Sequence, residues 1–231
     1  MPITPSTLLR GAAVAAIGAG ALFVGVQIGH PHMDAESITT TEVVLRNLVK
    51  ALMAVLALVG ITGMYLRQVR QAGFLGLIGY LILGLGYVLI ASTVLIAANV
   101  LPAIASMNPG YVNDVTIAIT GGTPDGDIGT LRTLLRVQAF SYLAGGLVFG
   151  VALFRARVLA RWATVLLAFG GVITIVVSML PDPFYRLVAV PNGVALIALG
   201  FSLWRSLRTI ERQPQPEPTM VGRSAPATSD A

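Results

Sequence analysis

The chain has no cysteine. That absence removes disulfides, thiolate metal sites, iron–sulfur clusters, a cysteine nucleophile and a lipoprotein anchor. Charge is nearly as scarce: Asp, Glu, Lys and Arg together make 11% of the 231 residues, against about a quarter in a soluble domain. Histidine occurs only at His30 and His32. With a mean hydropathy of +0.82, the chain suits a bilayer better than water. A net charge of +5 is too modest for nucleic-acid binding, and no cofactor is expected.

Six apolar stretches, near 9–29, 44–66, 73–101, 135–154, 161–180 and 187–204, approach the roughly 20 residues that a spanning helix needs. The expected fold is an all-α integral membrane bundle of six transmembrane helices over 1–211, with a disordered tail over 212–231. Arg10 before the first stretch resembles the start of a signal peptide. The apolar run after it is longer than a typical signal core, however, and no small-x-small cleavage site follows, so it reads as a retained helix. Pro191 falls in the first turns of the last span, where a missing N–H costs least.

Arginine placement orients the spans. With N- and C-termini cytoplasmic, the inside holds Arg10, Arg67, Arg70, Arg155, Arg157, Arg161, Arg205, Arg208, Arg212 and Arg223, ten of the fifteen basic residues. "LRQVRQAG" and "FRARVLAR" are then the basic inner turns. "LRNLVK" (45–50) and "LRTLLR" (131–136) form a weak internal repeat, each entering an even-numbered span from outside. A rival pairing of "LLRGAAVAAIGAGALF" with "LLRVQAFSYLAGGLVF" would give two inverted halves.

No Asp, Glu, Lys, Arg or His lies near the middle of any span, which disfavours ion coupling and proton relays. The mid-membrane polar groups are Tyr87, Ser92, Thr93, Ser141, Tyr142 and Thr174. Small residues at Gly25 and Gly29, Gly146 and Gly150, and Gly76, Gly79, Gly84 and Gly86 suit close helix packing or a homodimer face.

Polar chemistry collects at the outer ends. Gln27, Asn47, Asn99, Gln138 and Asn192 join Arg46, Lys50, Arg132, Arg136 and Arg186 in a polar rim. Arg46 with Lys50, and Arg132 with Arg136, share helix faces and need anions between them. Loop acids, lipid phosphates or an anionic ligand would serve. Arg46, Lys50, Asn99, Arg132, Arg136, Gln138 and Arg186 are therefore the candidate ligand-binding residues. His30, His32 and Asp34 alternate along an extended segment and would supply three metal ligands; a helix terminus and loop explains them as well. "TTTE" (39–42) fits a capping box with Glu42 reaching back. Residues 102–130 form a long outer loop, expected to cap the rim. Within it "VTIAIT" (115–120) suits a short strand or interfacial segment, and Asp125 and Asp127 form part of a calcium-like loop.

"IGHPHMDAESITTTEVV", "YLRQVRQAGFLGLIGYLIL" and "FRARVLARWATVLLAFGGV" resemble stretches of hypothetical multi-pass membrane proteins of actinobacteria. The resemblance implies a bacterial plasma membrane and no catalytic residues. The sequence thus points to a non-enzymatic membrane protein binding lipid or a partner through its outer rim. A small-solute transporter or permease, and a metal-dependent membrane enzyme using His30, His32 and Asp34, are the alternatives.

Overall fold

A computed structural model describes residues 4–29, 31–178 and 189–211, with the side chains of 171–178, 189 and 209–211 outside that description. His30, Arg186, the Thr174 side chain and the tail over 212–231 therefore lie outside the described residues. In chain order the elements are α1 (Pro5–Gly25), a 3-10 turn (Ser37–Thr39), α2 (Thr41–Arg67), α3 (Val69–Asn99), α4 (Leu101–Ile104), α5 (Pro109–Ile119), α6 (Leu131–Ala156), α7 (Arg161–Ser178) and α8 (Ala189–Glu211). Among the described residues, α1, α2, α3, α6 and the Val190–Arg208 part of α8 are long and apolar enough to cross a membrane. The chain is a polytopic all-α membrane protein.

The helices start where local chemistry starts them. Thr4 caps α1 by accepting the Thr7 N–H at 3.3 Å, and Pro5 fills the first helical position, where its missing N–H costs nothing. Thr40 caps α2 by accepting the Val43 N–H at 3.4 Å. The expected capping box of Thr39 and Glu42 is not formed. With Thr40 as cap, Glu42 falls one position early and turns to Arg46, while the Thr39 hydroxyl donates to Glu36 O. Within the first turns of α3 the chain kinks at Gly73, whose φ of 56° lies at positive values that glycine tolerates, so the straight part of α3 begins only at Phe74.

Six helices close a ring in the order α1, α2, α3, α6, α7, α8, each packed on its two neighbours. Phe23 of α1 stacks on Tyr142 of α6 at 6.5 Å, and Tyr142 meets Tyr87 of α3 edge-on at 5.7 Å. These three rings fill the interior that a looser ring would leave open.

Where no water drives association, helices adhere by approaching closely. A Cβ at Gly86 would sit 2.9 Å from Tyr142 N, and one at Gly79 would sit 2.5 Å from Phe149 N; Gly145 faces the Leu83 backbone from the other side of this α3–α6 seam. On α1, Ala16 and Ala12 receive Gly60 and Gly63 of α2, while Gly20 meets Gly193 of α8. Gly79, Gly86 and Gly150 are thus occupied within the chain. Gly25 packs on nothing within 4 Å, and Gly29 is a turn residue with φ of 61°. The expected Gly25–Gly29 packing face is absent because α1 stops at Gly25.

The loops at the end shared by the α1 C-terminus and the α2 N-terminus form a cap with its own core. Met33, Ile38, Val43, Ala97, Leu101, Ala105, Val112, Val115 and Ile128 are buried together. Asn113 Oδ1 accepts the Ala35 N–H at 2.7 Å and ties the loop between α1 and α2 to α5. "VTIAIT" is helical rather than a strand: Asn108 caps it by accepting the Tyr111 N–H, and Pro109 starts the first turn.

The seam predicts two contrasting substitutions. Gly86→Val should cost about 1–3 kcal/mol by pushing α3 off α6. Gly84→Ala, whose new Cβ meets nothing nearer than Leu58 Cδ1 at 3.4 Å, should leave the melting temperature in mild detergent nearly unchanged.

Candidate functional site

Arg46 lies in the second turn of α2 and reaches back across the end of α1. Its Nε donates to Glu42 Oε1 at 3.0 Å, and Nη2 reaches the same oxygen at 2.9 Å. Nη1 donates to Val26 O at 3.1 Å and Ile28 O at 2.9 Å, and Nη2 to Gly29 O at 3.1 Å. A guanidinium has five N–H donors, and here four of them make hydrogen bonds within the chain. The final carbonyls of a helix lack intrahelical partners and carry partial negative charge. Arg46 is a positive clamp on that end of α1, and its donors are committed to the chain itself.

Arg132 repeats the arrangement one hairpin later, donating from Nη2 to Gly126 O at 3.0 Å. The turn it holds is fixed from below, because Asp114 Oδ1 accepts the Gly126 N–H at 3.2 Å. Asp127 Oδ1 accepts the Gly129 N–H at 2.8 Å. The two repeat arginines thus share one role, binding the carbonyls of the incoming loop.

The other candidate residues scatter among roles. Gln138 Oε1 accepts the Thr93 hydroxyl at 2.8 Å, joining α6 to α3. Asn99 donates to Leu95 O of its own helix. Arg136 is exposed, and Lys50 is half-buried. Asn47 is 3% exposed, and its Nδ2 has no hydrogen-bond partner. Lys50 lies three residues further on, so α2 turns both toward one face. Beside the clamp, between α1 and α2, runs a groove of about 320 Å³ bedded on Leu22, Val26, Leu45 and Val49, with Glu42 and Arg46 at its mouth.

Of the proposed metal ligands, His32 is exposed. Asp34 Oδ1 accepts the Ser37 N–H at 2.7 Å and the Glu36 N–H at 3.1 Å, opening the 3-10 turn. Among the described residues, no group of three His, Cys, Asp or Glu converges on a point. The Ser37 N–H beside it holds the Asp34 carboxyl below its usual range.

The sequence reading named Arg46 but not its partners, the carbonyls of Val26, Ile28 and Gly29. A signal was present in "QIGHP", where glycine followed by proline marks a helix stop. Comparison with protein-family models, with curated proteins and with solved structures finds no match. These comparisons assign no family and lend no support to the actinobacterial resemblance.

Two outcomes follow. Arg46→Ala strands three carbonyls and should cost about 2 to 3 kcal/mol. Arg46→Lys should recover only part of that, since an ammonium has three donors instead of five; melting temperatures of the three proteins decide it. For Asp34 the folded pKa is the lower one, so its contribution is complete above the unfolded value and fades as pH falls through the folded value. Asp34→Asn should therefore speed amide exchange at Ile38 near neutral pH, with the difference from wild type closing in acid.

Proposed function

We propose that the protein is a non-enzymatic, six-span protein of the plasma membrane, with both termini cytoplasmic, that binds a lipid through its outer end. The sixth span is α7, whose 18 residues pack between α6 and α8 and complete the ring. The orientation is supported by the basic helix ends at Arg67, Arg70, Arg155, Arg157, Arg161, Arg205 and Arg208. Their short turns belong on the cytoplasmic side.

One observation carries the binding reading: the Asn47 side-chain amide is buried with a donor that nothing among the described residues accepts. A buried unpaired donor costs about 1–3 kcal/mol, and folded proteins rarely leave one without water or ligand. With Lys50 on the same face, the missing partner is a hydrogen-bond acceptor of negative character, as a lipid headgroup supplies.

The test is native mass spectrometry of the full chain released in mild detergent, paired with a thermal melt. Wild type should carry lipid mass that Asn47→Leu loses. An unchanged spectrum together with a higher melting temperature in Asn47→Leu would show a merely unsatisfied amide and end the reading. Added polypeptide mass in place of lipid would make the occupant a protein partner.

A further inference from the structure

The opposite end of the bundle holds a second groove. It lies between the start of α7 and the stretch of α8 from Val194 to Arg205, has a volume of about 500 Å³, and is lined by Trp162, Val194, Ile197, Phe201 and Arg205 among others. Its wall opens outward from the bundle, with Trp162 60% and Phe201 52% exposed. The Ala160 N–H donates to Ser202 Oγ at 2.8 Å and fixes the start of α7 against α8 at this point.

The dimensions are those of one leaflet. Val194 and Arg205 are eleven residues apart, about 16 Å along a helix rising 1.5 Å per residue. Half of a hydrocarbon core of about 30 Å is 15 Å. The apolar bed thus runs the depth of a single acyl chain, and an aromatic ring of the type that settles at headgroup level stands at its mouth.

Among the described side chains the charge at that mouth is of one sign. Arg205 lines it, Arg161 precedes Trp162, and Arg155 and Arg157 are exposed in the adjoining turn. Arg161 is steadied over the Phe154 ring at 4.2 Å, whereas Arg10 and Arg208 are drawn onto Trp204. The six acids whose side chains are described, Asp34, Glu36, Glu42, Asp114, Asp125 and Asp127, all lie in or beside the outer loops. Guanidinium groups match phosphate geometry with paired N–H bonds.

We propose that this groove seats one acyl chain of an anionic phospholipid whose headgroup phosphate rests against Arg205 and Arg161. The site is separate from the outer end, so Asn47→Leu should not disturb it. The positive-inside rule alone accounts for arginines at this end, but it does not account for a leaflet-deep groove beneath two of them.

The experiment titrates phosphatidylglycerol, and phosphatidylcholine with the same chains, into the full-length protein in mild detergent. Native mass spectrometry reads the bound lipid. In the Asn47→Leu background, which lacks the outer-end lipid, one phosphatidylglycerol should be retained per chain, and the Arg205→Gln, Arg161→Gln pair should weaken it tenfold or more. Val194→Trp, which fills the bed without touching charge, should weaken it similarly, and Arg70→Gln across the ring should not. Equal retention of phosphatidylcholine, an equal loss in Arg70→Gln, or normal binding by folded Val194→Trp would each overturn the proposal. Arg205 and Arg161 are exposed, so the charge pair decides alone if Val194→Trp does not fold.

Discussion

Helices in lipid gain little from hiding apolar surface, because the solvent is as apolar as they are. What remains is contact, and contact at backbone range requires that one partner have no side chain there. The α3–α6 seam meets this condition reciprocally: Gly79 and Gly86 receive the Phe149 and Tyr142 backbone, and Gly145 receives Leu83. That spacing brings Tyr142 within reach of both Tyr87 and Phe23, so the interior of the ring is filled from three sides. The α1–α8 contact follows the same rule through Gly20 and Gly193.

The two ends of the bundle use arginine differently. In the clamp at α2, four N–H groups of Arg46 are turned inward onto three carbonyls and one carboxylate. At the other end arginines lie on aromatic faces or remain exposed, with no carboxylate among the described side chains to compete for them. A guanidinium engaged in this way by its own chain holds structure.

Much of the architecture was legible. The long apolar stretches became helices, and the loop over 102–130 became a cap. The misplacements have physical causes. The first span ends four residues earlier than its apolar run, since apolar character continues past Gly25 while the carbonyls beyond are taken by Arg46. "VTIAIT" has β-branched residues that suit a strand, but a short apolar run does not fix its own period, and the decisive cap lay upstream in "NPGY". Glu42 had the right spacing for a box whose cap moved by one residue. The arginines of the rim were identifiable as charges needing acceptors. Sequence does not distinguish a carbonyl of the same chain from a phosphate of another molecule. The groove between α7 and α8 was hidden for a similar reason: Val194, Ile197, Phe201 and Arg205 are ordinary residues until a neighbouring helix leaves space beside them.

The cap also bears on the order in which its end of the bundle is built. The Arg46 clamp joins residues separated by only 17 to 20 positions, a short loop that closes cheaply as soon as α2 has followed α1. The cap core draws Ile38 and Val43 from before and within α2, Ala97 from the end of α3, Leu101 from α4, and Ile128 from just ahead of α6. Its linking bond, from Ala35 to Asn113, spans 78 positions. During synthesis from the N-terminus, a chain halted before residue 128 would hold its first hairpin pinned while the apolar side chains above it stayed uncovered. The long loop is therefore the closing piece of this end, and insertion of α1 to α3 must succeed without it.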